Sequence, residues 1–160
     1  MSRNERERFL AAARVGVLSV SDTRDGVRAP LALPVWYGYE PGGEIVVETG
    51  RASIKAQLLR AAGRFSLCVQ DERQPYRYVS VEGPVIAVED PIDPAVRTAL
   101  AERYLPTEEA RAYLAATIDQ LEHDVAFRMR PHRWRTADFA EFAAELTDVG
   151  ADVGSDRHTA

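Results

Sequence analysis

Residues 48–55 place several groups that favour an anion within one short stretch. A predicted strand ends at Thr49 and a predicted helix begins near Ser53, with Arg51 and Lys55 close by. Two hydroxyls, a guanidinium, an ammonium and the unpaired N–H groups of a helix N-terminus all bind phosphate well. The segment therefore predicts an anion site. The alternative is that Ser53 only caps the helix while Arg51 and Lys55 lie in solvent.

Lys55 is the single lysine in a chain of 160 residues that carries 20 Lys and Arg residues. Its compact ammonium differs from the planar guanidinium of the arginines, and it suits a tight site for a point charge. Lys55 lies in the first part of the predicted helix, beside Arg51 and Ser53. We therefore expect it to be the most informative single residue of the candidate site.

The sequence lacks the common signatures of several enzyme classes. It contains neither glycine-rich phosphate loop, G-x-x-x-x-G-K-[ST] or G-x-G-x-x-G, and no G-x-S-x-G nucleophile turn. Its three histidines are scattered and Cys68 is its single cysteine, so no metal-ligand spacing is present. We predict no catalytic residue and no metal site, and infer that a bound cofactor would supply the chemistry.

Composition bounds the partners and the domain organisation. The net charge of −5 argues against nucleic acid, whose binding domains usually carry a basic excess. The chain shows no apolar leader and no run of the roughly 20 apolar residues that a membrane span needs. We therefore expect a cytoplasmic protein with no nucleic-acid or membrane partner. Its length predicts one domain over residues 1–147, followed by a disordered polar tail over residues 148–160.

Hydrophobic patterning predicts a mainly β protein that also has helices. The predicted strands number about six and span residues 15–20, 29–37, 44–49, 65–70, 76–88 and 124–136. The predicted helices span residues 2–14 and 52–62 and begin again after Asp93 and Pro106. Because tight turns join the strands, we expect an antiparallel barrel with helices packed outside, since closure removes exposed edges.

Three segments, taken in order, resemble the pyridoxamine-5′-phosphate-oxidase-like split-barrel superfamily. Residues 49–55, read as T-x-R-x-S-x-K between a strand and a helix, resemble its phosphate-binding segment. Residues 33–37, Leu-Pro-Val-Trp-Tyr, are similar to the strand whose backbone lies beside the flavin ring, and residues 77–83 resemble its R-Y-V-x-V-x-G strand. The resemblance covers roughly residues 5–137 and implies an antiparallel split β-barrel.

The resemblance also implies partners and cofactor residues. Members of the superfamily are homodimers that hold FMN, the deazaflavin coenzyme F420 or a haem-derived tetrapyrrole at the subunit interface. By position, the expected phosphate ligands are Thr49, Arg51, Ser53 and Lys55. The residues expected along the ring and ribityl chain are Val35, Trp36, Tyr37 and Glu48. Arg77 and Tyr78 are expected to reach across from the other subunit.

The compact chain and its P-V-W and R-Y-V segments resemble the deazaflavin-dependent branch most. The true pyridoxamine-phosphate oxidases are longer and carry C-terminal substrate-binding residues that this chain lacks. The first hypothesis is an oxidoreductase that uses coenzyme F420, or alternatively FMN, to transfer hydride to a small conjugated acceptor. The second is a non-catalytic protein that sequesters a flavin or a tetrapyrrole. A cofactor-free dimeric barrel is the third.

Overall fold

Eight antiparallel strands form a strongly curled sheet in the computed structural model, which describes residues 1–24, 26 and 28–140. The tail predicted at residues 148–160 lies outside the described residues. The strands are β1 Gly16–Val20, β2 Leu31–Val35, β3 Tyr37–Gly38, β4 Ile45–Gly50, β5 Arg64–Asp71, β6 Arg77–Glu89, β7 Asp124–Met129 and β8 Arg133–Asp138. The predicted split barrel, mainly β with helices packed outside, is confirmed.

The long strand β6 joins the two parts of the sheet. The strand order is β2-β1-β5-β6-β7-β4-β3, and β8 also pairs with β6. The first half of β6 pairs with β5 and β8, whereas residues from Val85 onward pair with β7, with a register irregularity between Val85 and Ala87. One strand therefore holds both halves of the barrel in place.

Six predicted strands become eight because two of them break where the chain changes partner. The strand predicted over residues 29–37 is interrupted at Trp36, so that β2 pairs with β1 whereas β3 pairs with β4. The strand predicted over residues 124–136 is interrupted around Pro131, which has no N–H to donate to a ladder. Each break lets the chain pass from one half of the barrel to the other.

Gly83 lies where β6 passes from its first set of partners to its second. A Cβ atom at this position would lie 1.9 Å from the backbone oxygen of Arg130 and 2.9 Å from Sδ of Met129. Only a residue without a side chain allows so close an approach. The glycine of the R-Y-V-x-V-x-G segment is therefore required by packing between β6 and the turn that follows β7.

Four α-helices and one 3₁₀ helix accompany the sheet in the described part of the chain. They are α1 Arg3–Ala11, α2 Ile54–Ala62, α3 Pro94–Tyr104, α4 Thr107–Ala116 and the 3₁₀ helix Ile118–His123. Ser2 and Glu5 form a reciprocal capping box at the start of α1, and Asp93 caps α3. Among the described residues, no helix combines the length and the apolar character needed to cross a membrane.

Helix α3 is tied both to α1 and to the break between β2 and β3. Arg103 donates to the backbone oxygens of Leu10, Ala11 and Ala12, which lie where α1 ends and lack partners within that helix. The Tyr104 hydroxyl accepts from the backbone N–H of Tyr37 at 3.2 Å. These contacts fix α3 over the strand break and so determine the wall of the neighbouring pocket.

Candidate functional site

One pocket collects five of the residues that the sequence predicts to bind a cofactor. It has a volume of about 420 Å³ and lies where β4, α2, α3, α4 and the β2–β3 break meet. We call it the Lys55 pocket. Its lining residues are Pro34, Val35, Trp36, Glu48, Thr49, Lys55, Leu100, Tyr113 and Asp124.

Helix α2 positions Lys55 at the edge of this pocket. Ser53 is the N-cap, and its Oγ accepts from the backbone N–H of Ala56 at 3.0 Å. The first turn contains no acidic residue, so nothing on the helix itself neutralises the positive end of its dipole. The buried side chains of Leu58 and Leu59 anchor the helix in the core. Lys55, in the first turn of α2, and Thr49, whose hydroxyl lies 3.0 Å from that of Ser53, are thus both close to this helix N-terminus.

The Lys55 ammonium forms no hydrogen bond or ion pair within 4.0 Å with any residue of the described part of the chain. Burial lowers the pKa of Lys55, and the nearby Glu48 carboxylate opposes that effect. A partly buried cation without a partner is energetically unfavourable unless something else neutralises it. The Lys55 ammonium is therefore available to an anionic group.

Glu48 and Asp124 face the same pocket because of strand register. Glu48 lies opposite Ala126, and Gly50 lies opposite Asp124, in the antiparallel β4–β7 pair. Positions two apart on one strand share a face, so the two carboxylates are diagonal neighbours. The pocket thus contains two acidic side chains in addition to Lys55.

Arg97, on α3, lies between these carboxylates. Its Nε donates to Glu48 at 2.7 Å, and its Nη2 pairs with both Glu48 and Asp124. Its Nη1 donates to the backbone oxygen of Thr117 at 3.0 Å, just after α4 ends. The Arg97 side chain is only 2% exposed. It forms an ion cluster that links β4, β7, α3 and the end of α4.

Burial also shifts the titration of the groups around this cluster. It raises the pKa of Glu48, while the hydrogen bond and the charge of Arg97 act in the opposite direction. Burial raises the pKa of the Tyr113 hydroxyl as well, and the Glu48 charge adds to that effect. The neutral form of Tyr113 is therefore favoured at the pocket wall.

A cluster of aromatic side chains forms one side of the Lys55 pocket. Trp36 stacks on Tyr104 and lies at an angle to Tyr113, whose ring centroid is 5.8 Å away. Trp36 and Tyr113 both line the pocket. This wall offers flat apolar surface beside a cationic group, which suits a ligand with a planar ring and an anionic arm.

Two of the predicted phosphate ligands, Ser53 and Arg51, lie outside the pocket lining and contact other parts of the chain. The Ser53 hydroxyl shares a hydrogen bond with Thr49 at 3.0 Å in addition to capping α2. Arg51 donates to Asp90 at 2.6 Å and its side chain is 42% exposed. Neither residue lines the Lys55 pocket. Their role toward a cofactor stays a prediction.

Three other predicted residues lie away from the pocket lining. Tyr37 is fully buried and its hydroxyl donates to the backbone oxygen of Leu10 at 2.7 Å. Arg77 donates to Asp71, and Tyr78 packs against the ring of Tyr76. Because Arg77 and Tyr78 were expected to act in the pocket of a partner subunit, their assignment also stays a prediction.

Arg97, Leu100, Tyr113 and Asp124 are site residues that sequence reasoning missed. All four are contributed by parts of the chain that follow the recognised segments, and Arg97 is separated from Glu48 by 49 positions. The signal that could have drawn attention to Arg97 is its position on the same helix face as the apolar residues Leu100 and Ala101, three and four positions on, where an arginine is unusual.

Solved structures with the same fold align with most of this chain. A conserved hypothetical protein from Mycobacterium tuberculosis is 28% identical, with a TM-score of 0.69, 89% of this chain covered and 88% of the other. A protein described as an F420 reductase is 23% identical, with a TM-score of 0.63 and coverage of 81% and 94%. A heme binding protein from Mycobacterium smegmatis is 19% identical, with a TM-score of 0.57 and coverage of 98% and 69%.

Comparison with curated proteins yields no match. The similarity to the F420 reductase and the heme binding protein concerns the fold. A family profile described as pyridoxamine 5′-phosphate oxidase matches residues 2–137 and confirms the resemblance found in the three sequence segments. Since that match spans nearly all of the described residues, the chain belongs to the pyridoxamine 5′-phosphate oxidase family.

Proposed function

We propose that the protein is an oxidoreductase that binds coenzyme F420, with FMN as the alternative, in the Lys55 pocket. The observation that carries the proposal is the Lys55 ammonium, which has no partner among the described residues and lies beside Thr49 and the N-terminus of α2. Trp36 lies in the same pocket. A phosphate on a planar chromophore matches both features.

The residues of the pocket fit such a cofactor by type. Lys55 and the Thr49 hydroxyl would hold the phosphate, and Arg51 would join them if it exchanged Asp90 for the ligand. Val35 and Trp36 would pack along the ring. Bound F420 or FMN would supply hydride transfer, while the protein orients the chromophore and limits access of water. A small conjugated molecule is the proposed acceptor.

A homodimer with the cofactor at its interface belongs to the same proposal. Val17 is 45% exposed on β1 and lies opposite Pro34 on β2 and Cys68 on β5. Pro34 lines both the Lys55 pocket and a depression on this surface. A second subunit that covered this surface around Val17 and Pro34 would adjoin the pocket. Arg77 and Tyr78 of that subunit could then contribute to the site. The predicted cytoplasmic location is likewise part of the proposal.

Tetrapyrrole binding is the second candidate, supported by the fold shared with the heme binding protein. Among the residues that the structure describes, the pocket lining contains no His, Cys or Met, three of the usual haem ligands. Tyrosine can also ligate haem iron, and Tyr113 lines the pocket. Burial, however, raises the pKa of its hydroxyl and disfavours the phenolate. These residues favour a flavin-type ligand over haem.

Titration of the purified protein tests the proposal. Coenzyme F420, FMN and hemin are added separately, and binding is followed by fluorescence quenching and absorption, while light scattering gives the mass. We expect a dimer that binds F420 more tightly than FMN and binds hemin weakly. FMN retained at full occupancy through purification would reverse the order of the two flavins. Preferential binding of hemin, or a monomer at micromolar concentration, would contradict the proposal.

A further inference from the structure

The two carboxylates in the lining of the Lys55 pocket would oppose the binding of an anion. Glu48 and Asp124 both line the Lys55 pocket, and Lys55 is the sole cation among its lining residues in the described part of the chain. Two negative charges against one positive charge would repel a phosphate group. Something outside the pocket lining must therefore compensate the carboxylates.

Arg97 meets this requirement by geometry. It contacts both carboxylates at once, yet its side chain is 2% exposed and does not line the pocket. A planar guanidinium can satisfy two carboxylates and a backbone oxygen together, which a lysine ammonium cannot do with the same geometry. Arg97 therefore acts on the pocket through Glu48 and Asp124, not by direct contact with a ligand.

We infer that Arg97 is a positioning residue that neutralises Glu48 and Asp124 and thereby makes the Lys55 pocket selective for an anionic group. This inference rests on the proposed function. With Arg97 present, the cluster holds two negative and two positive charges. Without it the pocket carries a net negative charge, and Lys55 would be drawn toward the carboxylates instead of the ligand.

Charged and titratable groups face the cluster from every element around it. They are Glu48 on β4, Lys55 on α2, Arg97 on α3, Tyr113 on α4 and Asp124 on β7. Burial raises the pKa of Glu48, and Arg97 counteracts this. In a variant without Arg97, Glu48 would be protonated at a higher pH, because the group that lowers its pKa is gone. The effect on ligand affinity should therefore be large in alkaline solution and smaller in acid.

A purely structural role for Arg97 makes a different prediction. If Arg97 only held α3 against the sheet, its loss would weaken binding of any ligand that fits the pocket, charged or not. A ligand pair with and without the phosphate separates the two roles. For FMN this pair is FMN and riboflavin, which differ by the phosphate alone, and for coenzyme F420 it is the cofactor and its chromophore without the phosphate-bearing acidic tail.

The experiment compares the affinities of both members of the pair, at pH 5.5 and pH 8, for wild type and four variants. Arg97→Met removes the charge but keeps an unbranched side chain, and Arg97→Lys keeps the charge without the planar fork. Arg97→Met combined with Asp124→Asn removes one negative charge as well. Arg128→Met is the matched control, because Arg128 is a half-buried ion-paired arginine on β7 that does not line the Lys55 pocket.

At pH 8 we expect Arg97→Met to lower the affinity for the phosphorylated ligand by about tenfold or more. The affinity for the phosphate-free ligand should fall by less than about threefold. The loss should shrink at pH 5.5. Adding Asp124→Asn should restore most of the affinity at pH 8, and Arg97→Lys should retain part of it. Arg128→Met should leave the ratio of the two affinities unchanged.

Equal losses for both ligands at both pH values, or no recovery with Asp124→Asn, would overturn the inference about Arg97. If Arg97→Met does not fold, the double variant and Arg97→Lys carry the same comparison. If wild type itself shows no preference for the phosphorylated ligand, the proposed function fails. If wild type prefers the phosphorylated ligand and Arg97→Met retains that preference in full, only the inference about Arg97 is overturned and the proposed function stands.

Discussion

Trp36 stacks on Tyr104 with ring centroids 5.0 Å apart and ring planes within 6° of parallel. The pair joins the break between β2 and β3 to the last turn of α3. The Tyr104 hydroxyl lies within hydrogen-bond distance of the backbone oxygens of Arg14 and Tyr37, at 2.9 and 3.2 Å. One side chain thus fixes both the ring orientation of Trp36 and the path of the backbone beside the pocket.

Substitution of Tyr104 should separate these two contributions. Tyr104→Phe keeps the stacked ring but leaves the Tyr37 N–H without its acceptor, and should lower the free energy of unfolding by about 1 kcal/mol. Tyr104→Leu also loses the ring contacts and should cost about 2–4 kcal/mol. Urea denaturation followed by Trp fluorescence measures both. Equal costs for the two variants would show that the stacking contributes nothing.

Lys55→Ala should weaken cofactor binding by about ten- to a hundredfold, because it removes a charge-assisted contact. Lys55→Arg should be only partly tolerated, since a planar fork does not replace a compact ammonium. Thermal unfolding without ligand should change little, because Lys55 has no hydrogen-bond or ion-pair partner among the described residues. Gln57→Ala, at an exposed position of the same helix, serves as the control.

The single lysine also permits a direct test of ligand contact. An amine-reactive reagent can modify Lys55 and the N-terminal amine, and mass spectrometry distinguishes the two sites. Saturating cofactor should protect Lys55 but not the N-terminus. Unprotected Lys55, or unchanged affinity in Lys55→Ala, would contradict the anion site, whereas a large loss of stability without ligand would indicate a structural role.

Gly83→Ala should lower the free energy of unfolding by about 2–4 kcal/mol, because the added methyl group would meet backbone atoms. The nearest is the Arg130 oxygen at 1.9 Å. Gly38→Ala is the matched control, since its Cβ would meet other atoms no closer than 3.7 Å. Chemical denaturation of both variants provides the comparison. A cost for Gly83→Ala no larger than that for Gly38→Ala would refute the packing argument.

Alkaline pH should destabilise the protein through Tyr37. Burial raises the pKa of Tyr37 to about 12, against a value of about 10 in an unfolded chain. Its contribution to stability is complete below pH 10 and is lost as the pH rises through 12, with about 1–2 kcal/mol gone by pH 11. Tyr37→Phe lacks this titration, so its stability should approach that of wild type between pH 8 and pH 11. A constant difference in unfolding free energy would contradict the assignment.

The sequence predicted the strands well because each one carries an apolar pattern of its own. It did not predict the breaks at Trp36 and near Pro131, since a change of partner depends on strands that are distant in the chain. The part of the pocket around Thr49 and Lys55 could be recognised because its groups lie close together in sequence. Arg97 could not, because its role depends on two carboxylates that only the β4–β7 register brings together.

The position of β6 between the two halves of the barrel has a consequence for aggregation. If either half detached, one side of this 13-residue strand would expose unpaired N–H and C=O groups. A long open edge is a template for intermolecular pairing. Partial detachment of either half would therefore favour pairing between molecules, and a substitution that loosens β6, such as Gly83→Ala, should promote aggregates rich in intermolecular β-structure before it abolishes folding.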